Sequence, residues 1–209
     1  MYDLGGGLPD AEFDPGSNLL ISGPPLTGKR LLALETLAVG SRQGEGALIV
    51  TTKDSADTVL QEYGEVVGDR DGIAVGVVDC VTQQRGVERV DDARVKYASS
   101  PVDMTGIGIK LSEFIEEFYE GRGIRRNRIL LHSISTLLMY SNLQTVFRFL
   151  HVFTGRVQSA SALGLYVIDE TAHDGQTMNT LKQLFDGVVT VDEDGEPTLR
   201  RSGVAADGD

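Results

Sequence analysis

The sequence predicts an α/β fold in which a mainly parallel sheet is flanked by helices, and three features support this prediction. Short apolar runs alternate with segments of helical spacing along most of the 209 residues, as in strands joined by crossover helices. A glycine-rich loop separates the first apolar run from a helix-forming segment. Near the end of the chain, two strand-like segments flank a turn, which predicts a C-terminal β-hairpin.

The expected parallel strands are apolar runs with the length of a buried strand. They are residues 19–22, 47–52, 73–79, 128–133 and 165–168. The hairpin is expected from residues 185–191 and 197–201, with the acidic turn 192–196 between them. The charged segment 82–101 has few apolar residues, so we predict a long loop there.

Helices are expected between these strands. Residues 31–39 are strong helix formers, and Leu60 and Val67 mark a helix that Asp54 or Ser55 could cap. Two apolar stripes recur at intervals of three and four residues, and we interpret each as a helix face packed on the sheet. They consist of Ile107, Leu111, Phe114, Ile115 and Phe118, and of Val146, Leu150, Phe153 and Val157.

Length and composition limit the classes of protein that need to be considered. The chain suits one domain over residues 1–201, followed by a disordered tail at 202–209. Its 31 acidic and 19 basic residues give a net charge of −12, which makes nucleic acid an unlikely partner because phosphates demand a basic face. The lysine-poor, acidic composition suggests adaptation to a high-salt cytoplasm, although a merely acidic soluble protein is the alternative.

Cysteine usage and hydropathy add two exclusions. Cys80 is the single cysteine, so an intramolecular disulfide and an all-cysteine metal site are excluded, and we expect Cys80 to be a buried apolar residue. The sequence has no apolar run long enough to span a membrane and no signal-peptide pattern at Met1. We therefore expect a cytoplasmic protein without a membrane span.

The glycine-rich loop carries the strongest functional signal. Its sequence is Gly23-Pro24-Pro25-Leu26-Thr27-Gly28-Lys29-Arg30. The glycine and lysine spacing, between a strand and a helix, is that of a phosphate-binding P-loop, where backbone N–H groups and the helix start surround the anion. Lys29 would contact the outer phosphates. The alternative is a Gly/Pro turn before an ordinary helix.

Arg30 stands where the P-loop motif has a serine or threonine. The hydroxyl at that position holds the magnesium ion that bridges the phosphates, whereas a guanidinium has no lone pair for a metal. Thr27 offers a hydroxyl within the loop, but from a different position. Magnesium is therefore a doubtful ligand at this site.

Further motifs give a resemblance that runs through nearly the whole chain. The head Gly5-Gly6-Gly7-Leu8-Pro9, the P-loop, and the end Phe185-Asp186-Gly187-Val188-Val189-Thr190-Val191 resemble the KaiC-like branch of the RecA superfamily. Thr171-Ala172-His173-Asp174 and Asp103-Met104-Thr105-Gly106-Ile107-Gly108 are similar to short KaiC-like, HTR-like proteins of halophilic archaea. The resemblance implies a RecA-type P-loop core, often self-associating, with ATP at the carboxyl edge of the sheet.

The sequence departs from the family pattern where metal and water are handled. The resemblance places the family's paired glutamates at Lys53 and Asp54, and a lysine is a poor base at neutral pH. It places the family's Walker B aspartate at His132, which precedes Ser133. Together with Arg30, these departures predict a protein that is not an efficient ATPase.

The phosphate-handling residues remain, so we expect ATP or another nucleotide as cofactor. The predicted binding residues are Gly23, Pro24, Pro25, Leu26, Thr27, Gly28, Lys29, Arg30 and Lys53. Arg30 and Lys53 are cationic and His132 can become so, which could neutralise phosphate charge without magnesium. No catalytic residue is predicted firmly, and the remaining candidates are the carboxylates of Asp54, Asp169 and Glu170.

Other interpretations stay open. His132 with Ser133, or His173 with Asp169 and Asp174, could form a triad or a metal site, but no Gly-x-Ser-x-Gly motif accompanies them. The favoured function is a hydrolysis-deficient regulatory or assembly module with a protein partner or self-association. The rivals are an ATPase with a rearranged metal site, and an interaction scaffold without a ligand.

Overall fold

A computed structural model describes residues 1–5, 8, 11–68 and 72–201. A sheet of eight strands forms its centre, in the order β10-β9-β3-β8-β7-β4-β5-β6. These strands are β3 (Asn18–Gly23), β4 (Gly46–Thr51), β5 (Val75–Asp79), β6 (Val95–Tyr97), β7 (Asn127–His132), β8 (Leu163–Asp169), β9 (Gly187–Val191) and β10 (Pro197–Arg201). The strands β1 (Tyr2–Asp3) and β2 (Glu12–Phe13) pair separately.

Helices flank the sheet, as the sequence predicts. They are α1 (Lys29–Arg42), α2 (Ala56–Val67), α3 (Met104–Arg122), α4 (Ile134–Tyr140), α5 (Leu143–Ser159) and α6 (Gly175–Lys182), and a 3-10 turn covers Glu170–Ala172. All strand pairs of the large sheet are parallel except β9 with β10, which is the predicted C-terminal hairpin. The prediction of an α/β fold with a mainly parallel sheet is confirmed.

The core has two layers because successive strand residues face opposite sides of the sheet. Leu19 and Ile21 of β3 pack with α1 and α2 on one side, whereas Leu20 packs with α3 and α5 on the other. Both predicted helical stripes lie in the second layer, where Ile115 alone among them is only partly buried. Cys80 is fully buried, as expected, and burial raises the pKa of its thiol.

One predicted loop contains a strand. Within residues 82–101, β6 extends the sheet by pairing in parallel with β5. An apolar strand pattern was not detectable there, because β6 has only three residues and one of them is the buried, charged Lys96. Carboxylates complete the hydrogen bonding, since Asp91 accepts from the N–H of Tyr97 and Asp92 from that of Val95. The predicted tail at 202–209 lies outside the described residues, as do Gly6, Gly7 and Pro9 of the head.

Candidate functional site

The candidate site lies at the carboxyl edge of the sheet, where parallel strands end together. Gly23 ends β3, His132 ends β7 and Asp169 ends β8, while Lys53 follows β4. These loops enclose a cavity of about 230 Å³. The predicted residues in its lining are Pro25, Leu26, Thr27, Gly28, Lys29, Arg30, Lys53, His132 and Asp169. The predicted Gly23 and Pro24 are not part of the lining.

The loop from Gly23 to Gly28 has the shape that the glycines allow. A Cβ at Gly23 would lie 2.2 Å from the carbonyl oxygen of Val191, so a larger residue is excluded there. Gly28 has a φ of 83° and is the N-cap residue of α1, so no side chain caps the helix start. The first N–H groups of this 14-residue helix therefore remain available to an anion.

Within the loop, Thr27 and Leu26 take different positions. The hydroxyl of Thr27 donates to the carbonyl oxygen of Pro24 at 2.9 Å, which braces the loop and occupies the hydroxyl proton. Leu26 has a φ of 64° and a fully exposed side chain at the tip. Thr27 is thus engaged within the loop.

Lys29 is enclosed and already paired. Only 5% of its side chain is exposed. Its Nζ donates to the carbonyl oxygen of Pro24 and lies 2.9 Å from Oδ1 of Asp169. An incoming phosphate group would therefore meet a lysine that an internal carboxylate holds.

Arg30 turns toward α2. Its guanidinium forms ion pairs with the carboxylates of Asp54 and Glu62. Asp54 is further fixed by its main chain, since its N–H donates to Oγ1 of Thr51 at 3.2 Å, and Ser55 rather than Asp54 caps α2. The charge of Arg30 is therefore balanced by carboxylates, and Asp54 is not a free base.

His132 and Lys53 complete this side of the cavity. Burial, and secondly the nearby Arg30, lower the pKa of His132 from 6.5 to about 4. His132 is consequently neutral at neutral pH, contrary to a cationic role. Lys53 is exposed, and within the described part of the chain no carboxylate forms an ion pair with it.

The second histidine joins a different group. His173 Nε2 lies 2.9 Å from Oγ of Ser135, which also accepts a hydrogen bond of 2.9 Å from the N–H of Asp169. Burial is the main cause that lowers the pKa of His173. Asp174 caps α6 through the N–H of Thr177, so it does not orient His173 as a triad acid would.

The sequence did not point to Ser135 or Glu62, because neither belongs to a motif and both act through tertiary contacts. Glu170 lies in the 3-10 turn, next to Asp169 in the chain. Across the described residues, no cluster of three histidine, cysteine, aspartate or glutamate side chains has the arrangement to hold a metal ion. The same residues include no helix that is long and apolar enough to cross a membrane.

Two solved structures share the fold. The uncharacterised protein PH0321 of Pyrococcus horikoshii, solved with an unknown peptide, has a TM-score of 0.62 at 13% identity, covering 92% of this chain and 94% of that one. The KaiC-like protein PH0186 of Pyrococcus horikoshii OT3 has a TM-score of 0.57 at 14% identity, covering 90% and 79%. These similarities support the expected RecA/KaiC-like fold.

Sequence comparison gives a family but no described activity. No curated protein matches the chain. One family model, the family of unknown function DUF7504, matches residues 16–191, which include the glycine loop, Lys53, His132 and Asp169. The protein therefore belongs to the DUF7504 family.

Proposed function

We propose that this protein binds the phosphate groups of ATP or another nucleotide in the glycine-loop cavity and hydrolyses the nucleotide poorly. The observation that carries the proposal is the position of Lys29, which is buried at the base of a loop whose helix start opens toward the cavity. Backbone N–H groups at a helix start, together with a lysine, are a recurrent arrangement for phosphate.

The surrounding residues favour binding over hydrolysis. Hydrolysis needs a positioned water molecule and, in this class of sites, a metal ion at the outer phosphates. Arg30 stands at the position where the motif holds the metal, and its ion pair with Asp54 engages one of the candidate catalytic carboxylates. Because Asp169 is paired with Lys29, an ATPase that used Asp54 or Asp169 as its base would first have to break one of these ion pairs.

A binding module of this kind would serve regulation or assembly. The structural neighbour PH0321 was solved with an unknown peptide, which weakly favours a protein partner for this chain too. We propose a cytoplasmic module, acting at high salt, whose nucleotide state alters its contact with a partner or with a second copy.

Thermal unfolding with and without ligand tests the binding proposal. ATP should raise the melting temperature in EDTA as much as in magnesium, because a ligand that binds only the folded state stabilises it by mass action. At a ligand concentration about 100 times Kd, the gain is about 2.7 kcal/mol. Measurements should be made in concentrated potassium chloride.

Two lysine variants make the test specific. Lys29→Ala should abolish the shift, because it deletes the phosphate contact. Lys182→Ala, at the end of α6 and outside the cavity lining, should leave the shift unchanged. Unshifted melting with ATP in both buffers would refute nucleotide binding and leave the scaffold interpretation standing.

A further inference from the structure

The position of Asp169 bears on which anions the cavity accepts. Its main chain is fixed on two sides, since Asp169 pairs with Gly23 in the β8–β3 register and donates its N–H to Ser135. Its side chain, 37% exposed, reaches Lys29 at 2.9 Å. The carboxylate is thus held next to the lysine on which phosphate binding depends.

The other charges at the cavity show why the contact between Asp169 and Lys29 matters for anion binding. Arg30 is balanced by Asp54 and Glu62, and His132 is neutral at neutral pH. Among the described residues that line the cavity, Lys53 is then the cation without a carboxylate partner. A ligand that takes Lys29 from Asp169 also leaves the aspartate charge close to its own, which opposes binding.

Anions differ in how well they can compensate for the repulsion from Asp169. A single phosphate group that displaces Asp169 gains the contact with Lys29. The net gain is small, because the lysine only exchanges one anionic partner for another. Two linked phosphates can contact Lys29 and also use a second group, Lys53 or the N–H groups at the start of α1. The second contact increases the affinity because the two phosphates are linked, so that it forms within a complex that already exists.

We propose that Asp169 is a specificity-determining residue, which competes for Lys29 and restricts the cavity to anions with at least two linked phosphates. Inorganic phosphate is excluded by this competition. The inference rests on the proposed phosphate binding at the glycine loop and adds the class of anion that binds there.

The experiment compares phosphate with pyrophosphate in EDTA, using thermal unfolding and calorimetric titration. Asp169→Asn keeps the size of the side chain and the N–H contact to Ser135 but removes the charge. Asp14→Asn is the matched control, because Asp14 is exposed and precedes β3 at the opposite edge of the sheet. Unliganded melting curves check folding, and Asp169→Ser provides a second variant.

The outcomes distinguish phosphate binding at the glycine loop from the specificity role of Asp169. We expect the unmodified protein and Asp14→Asn to bind pyrophosphate and not phosphate, and both Asp169 variants to bind phosphate as well. Pyrophosphate should bind the Asp169 variants about three- to tenfold more tightly, a modest gain because the ion pair is partly exposed.

If pyrophosphate binds the unmodified protein but the Asp169 variants show the same selectivity and affinity, the specificity role is wrong and phosphate binding stands. Weaker pyrophosphate binding by both variants would also overturn the role, since Asp169 would then assist the ligand. If neither anion binds any variant, both proposals fail.

Discussion

The guanidinium of Arg30 contacts the carboxylate of Asp54, and this contact joins the last residue of the glycine loop to the segment between β4 and α2. Arg30 stands where the P-loop motif has the metal-holding hydroxyl, and Asp54 is one of the two positions at which the resemblance places the family's paired glutamates. The Arg30 charge is thereby directed to α2, where it also meets Glu62. One ion pair thus connects the end of the glycine loop with the segment that follows β4.

Hydrolysis should be absent from the purified protein. With magnesium at high salt, phosphate release should not exceed that of Lys29→Ala, because the positions for metal and water are substituted together. Restoring Arg30→Thr, His132→Asp and Lys53→Glu in one variant should create magnesium dependence, whereas single changes should do little, since such residues act as a unit. Turnover that requires Lys29 in the unmodified protein would contradict this prediction.

The Arg30 ion pairs should contribute modestly to stability. Their side chains are 26%, 27% and 41% exposed for Arg30, Asp54 and Glu62, so solvent screens the charges. We expect Arg30→Ala to lower the free energy of unfolding by about 1 kcal/mol in urea titrations. Arg148→Ala, an exposed arginine within α5, controls for helix propensity, and an equal loss in both variants would argue against the ion pairs.

The buried pair of Arg128 and Glu45 should matter more. Arg128 is fully buried, its Nε lies 2.6 Å from Glu45, and it also donates to the carbonyl oxygen of Thr36 at 2.8 Å. Arg128→Met leaves Glu45 buried with Arg126 as its remaining partner. We expect a loss of about 3 kcal/mol in the free energy of unfolding.

The double variant Arg128→Met/Glu45→Met separates the charge effect from packing. It should recover part of the loss, because no buried carboxylate then remains without its partner. Urea titration of the four proteins in a double-mutant cycle gives the coupling between the two residues. Additive losses would show that the ion pair is not the cause.

The sequence was informative where structure follows from local pattern. Apolar runs located β3, β4, β7 and β8 because buried parallel strands are nearly continuous in hydrophobicity. The glycine loop could be placed between β3 and α1 because Gly23 and Gly28 mark backbone positions with specific requirements. By contrast, β6 is a short charged segment, which the neighbouring β5 and two aspartates hold in place.

The ion pairs between side chains of the candidate site could not be predicted from local sequence patterns. Nothing local links Arg30 to Glu62, which lies on the next helix, or Lys29 to Asp169, which ends the neighbouring strand β8 but is distant in sequence. The sequence allowed a cationic His132, but its charge depends on burial and on Arg30, both of which require the folded chain. Motif spacing therefore indicated a candidate site, and the charges of its side chains depend on tertiary contacts.

Stability should fall at acidic pH in part through His132. Its pKa is about 4 in the folded protein, below the ordinary 6.5, so the unfolded chain binds this proton more readily. The contribution of His132 is full above about pH 6.5, decreases as the pH falls toward 4, and reaches a loss of about 3 kcal/mol below that. Urea titrations between pH 7 and pH 4 should show a flatter decline for His132→Asn than for the unmodified protein. His151→Asn, an exposed position on α5, controls for the chemical change, and identical slopes for His132→Asn and the unmodified protein would contradict the prediction.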